Sequence, residues 1–217
     1  MRFINTRWLR AALIVLAIAG TCDLRLDAQV GKSRGVVDAN TAPEKNIAGM
    51  PHMTPSIAKA LVGNRPFMSI TELNTFLMGQ GLTQEQAMAF YKKAFVHVNL
   101  NTGTREETLL IPGAGTKMAH EFAEYRPWKT WAQFDKEIGK YVGADAAAEL
   151  AQYVFIPVNL NTASDADILS IPGAGPKMVH EFKEYRPWKS PAQFDKEISK
   201  YVGEKETRRL KRYVVFE

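Results

Sequence analysis

The chain repeats itself. The run VNLNT…IPGAGTKMAHEFAEYRPWK begins at Val98, and VNLNT…IPGAGPKMVHEFKEYRPWK begins at Val158. A period of about 60 residues means that one small folding unit is used more than once, so the repeat outranks every length argument. Alone, 217 residues would suggest one or two domains. A third, diverged copy lies upstream. VDANTA at Val37–Ala42 parallels VNLNTA at Val158–Ala163, Asn64-Arg65-Pro66-Phe67 parallels Tyr185-Arg186-Pro187-Trp188, and Ile70–Leu73 parallels Pro191–Phe194. The expected organisation is a short polar linker at 29–36, a degenerate unit at 37–97, and two close copies at 98–157 and 158–217. Phe155-Ile156-Pro157-Val158 leaves no flexible joint between the last two.

Each unit reads as four short helices, which places the chain in the all-α class. In the third copy, Asn161-Thr162 is positioned to cap a first helix over 163–170, with Asp165 completing a capping box. Pro172–Gly175 breaks the chain, and a second helix follows over 176–185 with Met178, Val179 and Phe182 at helical spacing. Arg186-Pro187 stops it, because the residue before proline avoids the helical region. Ser190-Pro191-Ala192-Gln193 starts a third helix, which turns Phe194, Ile198 and Tyr201 inward and ends at Gly203. A last helix covers 204–212, and the tail Tyr213–Phe216 is expected to lie extended as an apolar strap. Thr130 and Gln133 play the capping parts in the second copy. A unit of this size is near the lower limit for a self-sufficient core. Trp128, Trp131 and Trp188 therefore carry much of the burial.

The chemistry points to the PGAG turns at Pro112–Gly115 and Pro172–Gly175. Glycine permits a positive φ and removes the Cβ that would block a ligand. The helix after the turn offers unpaired N–H groups to an anion. A tight turn that merely packs two helices is the plainer reading. The segment VNLNTASDADILSIPGAGPKMVHEFKEYR resembles the secreted helix-hairpin-helix domain of the ComEA-like competence-protein family. The likeness covers nearly all of the second and third copies and, more weakly, the first. It implies tandem helix-hairpin-helix (SAM-like) domains that hold double-stranded DNA by its phosphates, from the minor-groove side, without reading sequence. The matching positions are Gly113, Ala114, Gly115 and Lys117 in one copy, and Gly173, Ala174, Gly175 and Lys177 in the other.

Some residues depart from that family. The first copy has Met50-Pro51-His52-Met53-Thr54 where glycines belong, so its hairpin is expected to be lost. The second Gly-x-Gly hairpin survives only at Gly79-Gln80-Gly81, with Tyr141 and Tyr201 in the first glycine's place elsewhere. The run FLMGQGLTQEQAMAFYKKAF also resembles the PsbU family of extrinsic photosystem subunits, whose same fold binds protein instead of DNA.

Charge constrains the partner only mildly. The net charge is +5 with a pI near 9.2. The second copy is net −2 and the third net +2, with Lys205, Arg208, Arg209, Lys211 and Arg212 read as a solvated helix face or, alternatively, as a contact for a polyanion. Around Lys117 and Lys177 a continuous positive strip favours DNA, whereas acidic flanks from Glu121 and Glu124 oppose it. The Tyr-Arg-Pro-Trp runs could stack bases, but tryptophan after proline at a helix end reads better as a core plug. His120-Glu121 and His180-Glu181 lack the second histidine of a zinc site, and His52 and His97 have no partner pattern. No nucleophile elbow, phosphate-cradling Walker loop or catalytic carboxylate pair occurs, so neither an enzyme, a metal, a cofactor nor a small-molecule substrate is expected.

At the N-terminus, Arg2, Arg7 and Arg10 precede the apolar run Ala11–Ala19, and Leu26-Asp27-Ala28 offers a cleavage site. This reads as a signal peptide over 1–28 and a periplasmic or secreted protein. Cys22, the only cysteine, sits after a poor lipoprotein box and would be removed with the peptide. The leading expectation is thus extracytoplasmic, sequence-independent binding of double-stranded DNA, as in DNA uptake. The alternative is a scaffold for a protein partner in secretion, pilus or uptake machinery.

Overall fold

The computed structural model describes residues 33–217. The expected signal peptide, Cys22 and the first part of the linker lie outside the described residues. The first block contains β1 (Val37–Asp38), α1 (Glu44–Ala48), α2 (Pro55–Asn64), α3 (Ile70–Gly79), α4 (Gln84–Tyr91) and β2 (Ala94–Phe95). The second contains β3 (Val98–Asn99), α5 (Arg105–Leu109), α6 (Thr116–Glu124), α7 (Trp131–Val142), α8 (Ala144–Ala151) and β4 (Val154–Phe155). The third contains β5 (Val158–Asn159), α9 (Asp165–Leu169), α10 (Pro176–Glu184), α11 (Pro191–Lys211) and β6 (Val214–Val215). The described chain is mostly helical, as expected for the all-α class.

Short strands were not expected. In each block the opening and closing segments pair in parallel, with Val37 against Ala94, Val98 against Val154 and Val158 against Val214. The apolar strap of the third block is therefore extended as expected, but it is also a ladder partner. Val214 is buried, as is Tyr213 before it.

Helix starts follow cap chemistry. Ser190 accepts from Gln193 N at 3.2 Å and Thr130 from Gln133 N at 3.1 Å, as expected. The first helix of the third block differs: its cap is Ser164, closed by Asp167, not Thr162 with Asp165. The physical reason is that Asn159 O already accepts the N–H groups of Thr162 and Ala163 in a turn. In the second and third blocks the third and fourth helices meet at one glycine. Gly143 and Gly203 have φ 81° and 76°, a region that residues with a Cβ seldom adopt. α11 thus holds two helices that break at Gly203.

The two recurring motifs hold each other. Asn101 accepts from Trp128 N at 2.6 Å and donates to Trp128 O at 3.0 Å. Asn161 does the same with Trp188, and Asn40 with Phe67. The arginine two residues before each aromatic reaches back to the opening turn: Arg65 to Ala42 O, Arg126 to Gly103 O and Arg186 to Ala163 O. Removing such a partner leaves backbone groups unsatisfied, at about 1–3 kcal/mol. Asn101→Ala is therefore expected to lower stability by about that amount in urea denaturation. An unchanged midpoint would remove this pair from the supports of the fold.

The blocks also pack on one another. One core runs through the first and second blocks, where Phe95 meets Tyr153 edge-on at 5.1 Å between ring centroids. The described end of the expected linker is packed rather than free. Gln152 Oε1 accepts from Arg34 N at 2.7 Å, Arg34 pairs with Glu149 at 2.9 Å, and Val36 is buried. Residues 34–36 thus belong to the interface between the first two blocks. Among the described residues no helix is long and apolar enough to cross a membrane.

Candidate nucleic-acid interface

All three blocks share one backbone turn between their first two helices. Gly113 and Gly173 hold φ 85° and 81°. The turn expected to be lost in the first block persists, with His52 at φ 60° in the equivalent place. Each turn is closed by one bond: Ala114 N to Ile111 O at 3.0 Å, Ala174 N to Ile171 O at 2.9 Å, and Met53 N to Met50 O at 3.2 Å. This corrects the expected roles of Ala114 and Ala174. Their N–H groups are spent inside the turn, so neither is left to donate to a phosphate.

The donors that remain differ from block to block. In the second block the N–H groups of Gly113, Gly115, Thr116 and Lys117 make no hydrogen bond within the described residues, and Gly115 caps α6 without a side chain. The third block offers Gly173, Gly175 and Lys177, but Pro176 replaces Thr116 and has no N–H. In the first block Thr54 caps α2 with its own hydroxyl, taking Ile57 N at 3.2 Å, and Pro55 follows. That turn keeps its shape, but His52 and Thr54 stand where the later copies have glycines and Ser56 where they have a lysine.

Lys117 and Lys177 are exposed, and each leans over a tyrosine ring. Lys117 Nζ is 4.6 Å from the centre of Tyr141, and Lys177 Nζ is 5.2 Å from that of Tyr201. A cation over an aromatic face is held there by the ring quadrupole. The tyrosines are themselves tied down, with Tyr141 Oη 2.9 Å from Tyr125 Oη and Tyr201 Oη 2.9 Å from Tyr185 Oη. The hydrogen bond with Tyr125, and then Glu121, push the Tyr141 phenol above its ordinary range. Glu121 is buried behind that ring and is no solvent flank, whereas Glu124 is exposed at the far end of α6. Of the two feared acidic neighbours, only the remote one faces water.

Other expectations change. Trp128 and Trp188 are 1 % exposed, and their indole N–H groups donate to Phe122 O and Phe182 O. They are core plugs, so base stacking on them is ruled out by burial. His120 and His180 are exposed, and His180 lies 3.1 Å from Glu184. His97 has a partner after all: its Nδ1 is 3.3 Å from Asp38 Oδ2. The basic run is not one solvated face. Lys205 and Arg208 are exposed, but Arg209 is buried and Arg212 donates to His97 O at 3.0 Å.

Comparison with protein-family models, with curated proteins and with solved structures finds no match for this chain.

Proposed function

We propose that the chain is a tandem helix-hairpin-helix protein that binds double-stranded DNA without sequence preference, outside the cytoplasm, by way of its hairpin backbone. The observation that carries this reading is the second block's turn. It combines an exposed Gly113 and Gly115, four N–H groups without internal partners, and an exposed lysine in one short segment. Backbone N–H groups and a lysine are what phosphate contacts use, and such contacts carry no base information. The third block carries the matching residues Gly173, Gly175 and Lys177, but Pro176 removes one donor and Arg209 lies against its turn, so the reading rests on the second block. A second reading, a protein-interaction scaffold, draws support from Leu109 and Leu169, which are 37 % and 41 % exposed at matching positions beside the two turns.

The test uses the first block as a guide. Gly115→Thr would place the Thr54-type cap on the second turn, its hydroxyl taking the Met118 N–H as Thr54 takes that of Ile57, and would put a side chain where the turn is now bare. Gly115 sits at φ −99° and an added Cβ there meets nothing within 4 Å, so the variant is expected to fold with unchanged or slightly raised stability. Fluorescence anisotropy with a random-sequence duplex across a salt series should show binding that weakens steeply with salt in the parent. The variant should bind at least about tenfold less tightly. Equal binding by parent and variant would remove the hairpin from the interface. No binding by the parent at low salt would direct attention to a protein partner.

A further inference from the structure

The two glycine hairpins sit in different surroundings. The Gly113 turn opens into a cleft of about 460 Å³ at the junction with the first block. Its lining includes Arg34, Lys92, Lys93, Pro112, Gly113 and Glu149. Arg34 is paired with Glu149, but Lys92 and Lys93 are exposed and make no ion pair among the described residues. An added Cβ at Gly113 would meet nothing within 4 Å, so the approach to the turn is open.

Gly173 is exposed like Gly113, but the place its Cβ would take is occupied. A Cβ there would lie 2.7 Å from Arg209 Nη2 and 3.2 Å from Thr41 Cγ2 of the first block. Arg209 Nη2 donates to Pro172 O at 2.6 Å, and its guanidinium is held by Glu206 from two nitrogens. The repeat makes the contrast sharp. Arg209 and Tyr213 occupy the places of Glu149 and Tyr153, yet they close against the first block where the second block leaves a cleft. Arg209 is buried, so its charge is engaged by Glu206 and Pro172 and not presented to solvent.

We propose that the DNA phosphate backbone is held at the second block's hairpin alone, with Lys92 and Lys93 of the first block as its cationic wall. The third block's hairpin serves as a contact between blocks. This rests on the DNA reading of the hairpins and divides their labour. The physical sense is that phosphate is held best where open N–H donors and several unpaired cations meet. The 112–117 turn has Lys117 with Lys92 and Lys93 beside it, whereas the 172–177 turn has Lys177, one donor fewer at Pro176, and Arg209 with its charge already engaged. Neither lysine side chain packs in the core: Lys93 supports the fold through its carbonyl, which accepts from Val37 N, and Lys92 through its backbone at the end of α4.

The experiment is anisotropy of the full chain with a random 20-base-pair duplex at several salt concentrations. Circular dichroism and thermal melting verify each variant. Lys92→Ala/Lys93→Ala is expected to weaken binding about tenfold or more and to reduce the log–log salt slope by about two, one for each lost phosphate contact. Gly175→Thr/Lys177→Ala is expected to change affinity less than about twofold. The proposal is overturned if the lysine pair variant binds like the parent, or if the third-block variant loses as much as Gly115→Thr does. Loss in Gly115→Thr with full binding by the lysine variant would keep the DNA reading and reject the cleft. Absence of DNA binding by the parent would reject both.

Discussion

Trp188→Ala is expected to remove about 3–5 kcal/mol from the third block, enough to unfold it or leave it loosely packed at room temperature. The ring is 1 % exposed and touches Phe194, Tyr185 and Phe216 with centroids 5.4–6.3 Å apart. Its indole N–H donates to Phe182 O at 2.7 Å, so truncation leaves a cavity and also an unpaired carbonyl. The third block has its own core of modest size, while the first and second share theirs. A block of about 60 residues has little stability to lose. Trp128→Ala makes the same local cavity, but it opens a core that reaches into the first block. The expected difference is therefore one of cooperativity. Trp188→Ala should melt as two transitions in calorimetry, with the first two blocks remaining folded, and Trp128→Ala should lower the main transition. A single parent-like transition in Trp188→Ala would show that the tryptophan is not the keystone its burial implies.

Much of this fold is legible in local chemistry, because caps and glycine turns depend on neighbours in the chain. Ser190-Pro191 and Thr130 start helices where cap rules put them. The Thr162 start fails for an instructive reason: Asn159 carries the turn that precedes the helix, and Ser164 is an equally good cap two residues on. Two-residue strands leave no periodicity to read. Their pairing is fixed by the whole block closing on itself, with partners nearly 60 residues apart. The link between the Asn-Thr motif and the Arg-Pro-aromatic motif is visible in sequence only as co-occurrence. The hydrogen bonds of Asn101 and Asn161 explain why both motifs recur together.

The candidate site is legible in one half. The PGAG turn marks itself through glycine, but Arg34 comes to it from the linker and Lys92 and Lys93 from the first block. The signal that would have found them is departure from the repeat. Lys92-Lys93 stands where the later copies have Gln152-Tyr153 and Arg212-Tyr213. Asp38 stands where they have Asn99 and Asn159, and His97 where the second copy has Pro157. A residue that serves its own block can be the same in every copy. One that meets a different neighbour has to differ, so the exceptions to the repeat map the contacts between blocks.

Asp38 is the sharpest such exception, and its replacement by alanine is expected to cost about 3–5 kcal/mol, as for a buried charge network that loses one member. Its Oδ1 accepts from Asn40 N at 2.8 Å, a turn bond that Asn99 and Asn159 make equally well in their own blocks. Its Oδ2 accepts from Tyr213 of the third block at 3.0 Å and lies 3.3 Å from His97 Nδ1. Asp38→Asn therefore keeps the local turn and removes only the charge that joins the blocks, at about 1–3 kcal/mol. Burial pushes the Asp38 carboxyl up, but the His97 bond, the His97 and Arg209 charges and the Tyr213 hydroxyl outweigh it and hold it below its ordinary value. Burial and then the Asp38 charge push the Tyr213 phenol the other way, above its usual range. A depressed carboxylate stabilises the fold above its unfolded value, near pH 4, and that stability is lost as pH falls through the lower folded value. The parent should thus lose the contact between the first and third blocks only below about pH 4, while Asp38→Asn should show a flatter acid limb and a lower plateau at neutral pH. Urea denaturation at pH 7 and pH 3 measures both. Identical curves for parent and Asp38→Asn at both pH values would mean that the third block is seated by its apolar contacts, with the buried carboxylate contributing nothing to its placement.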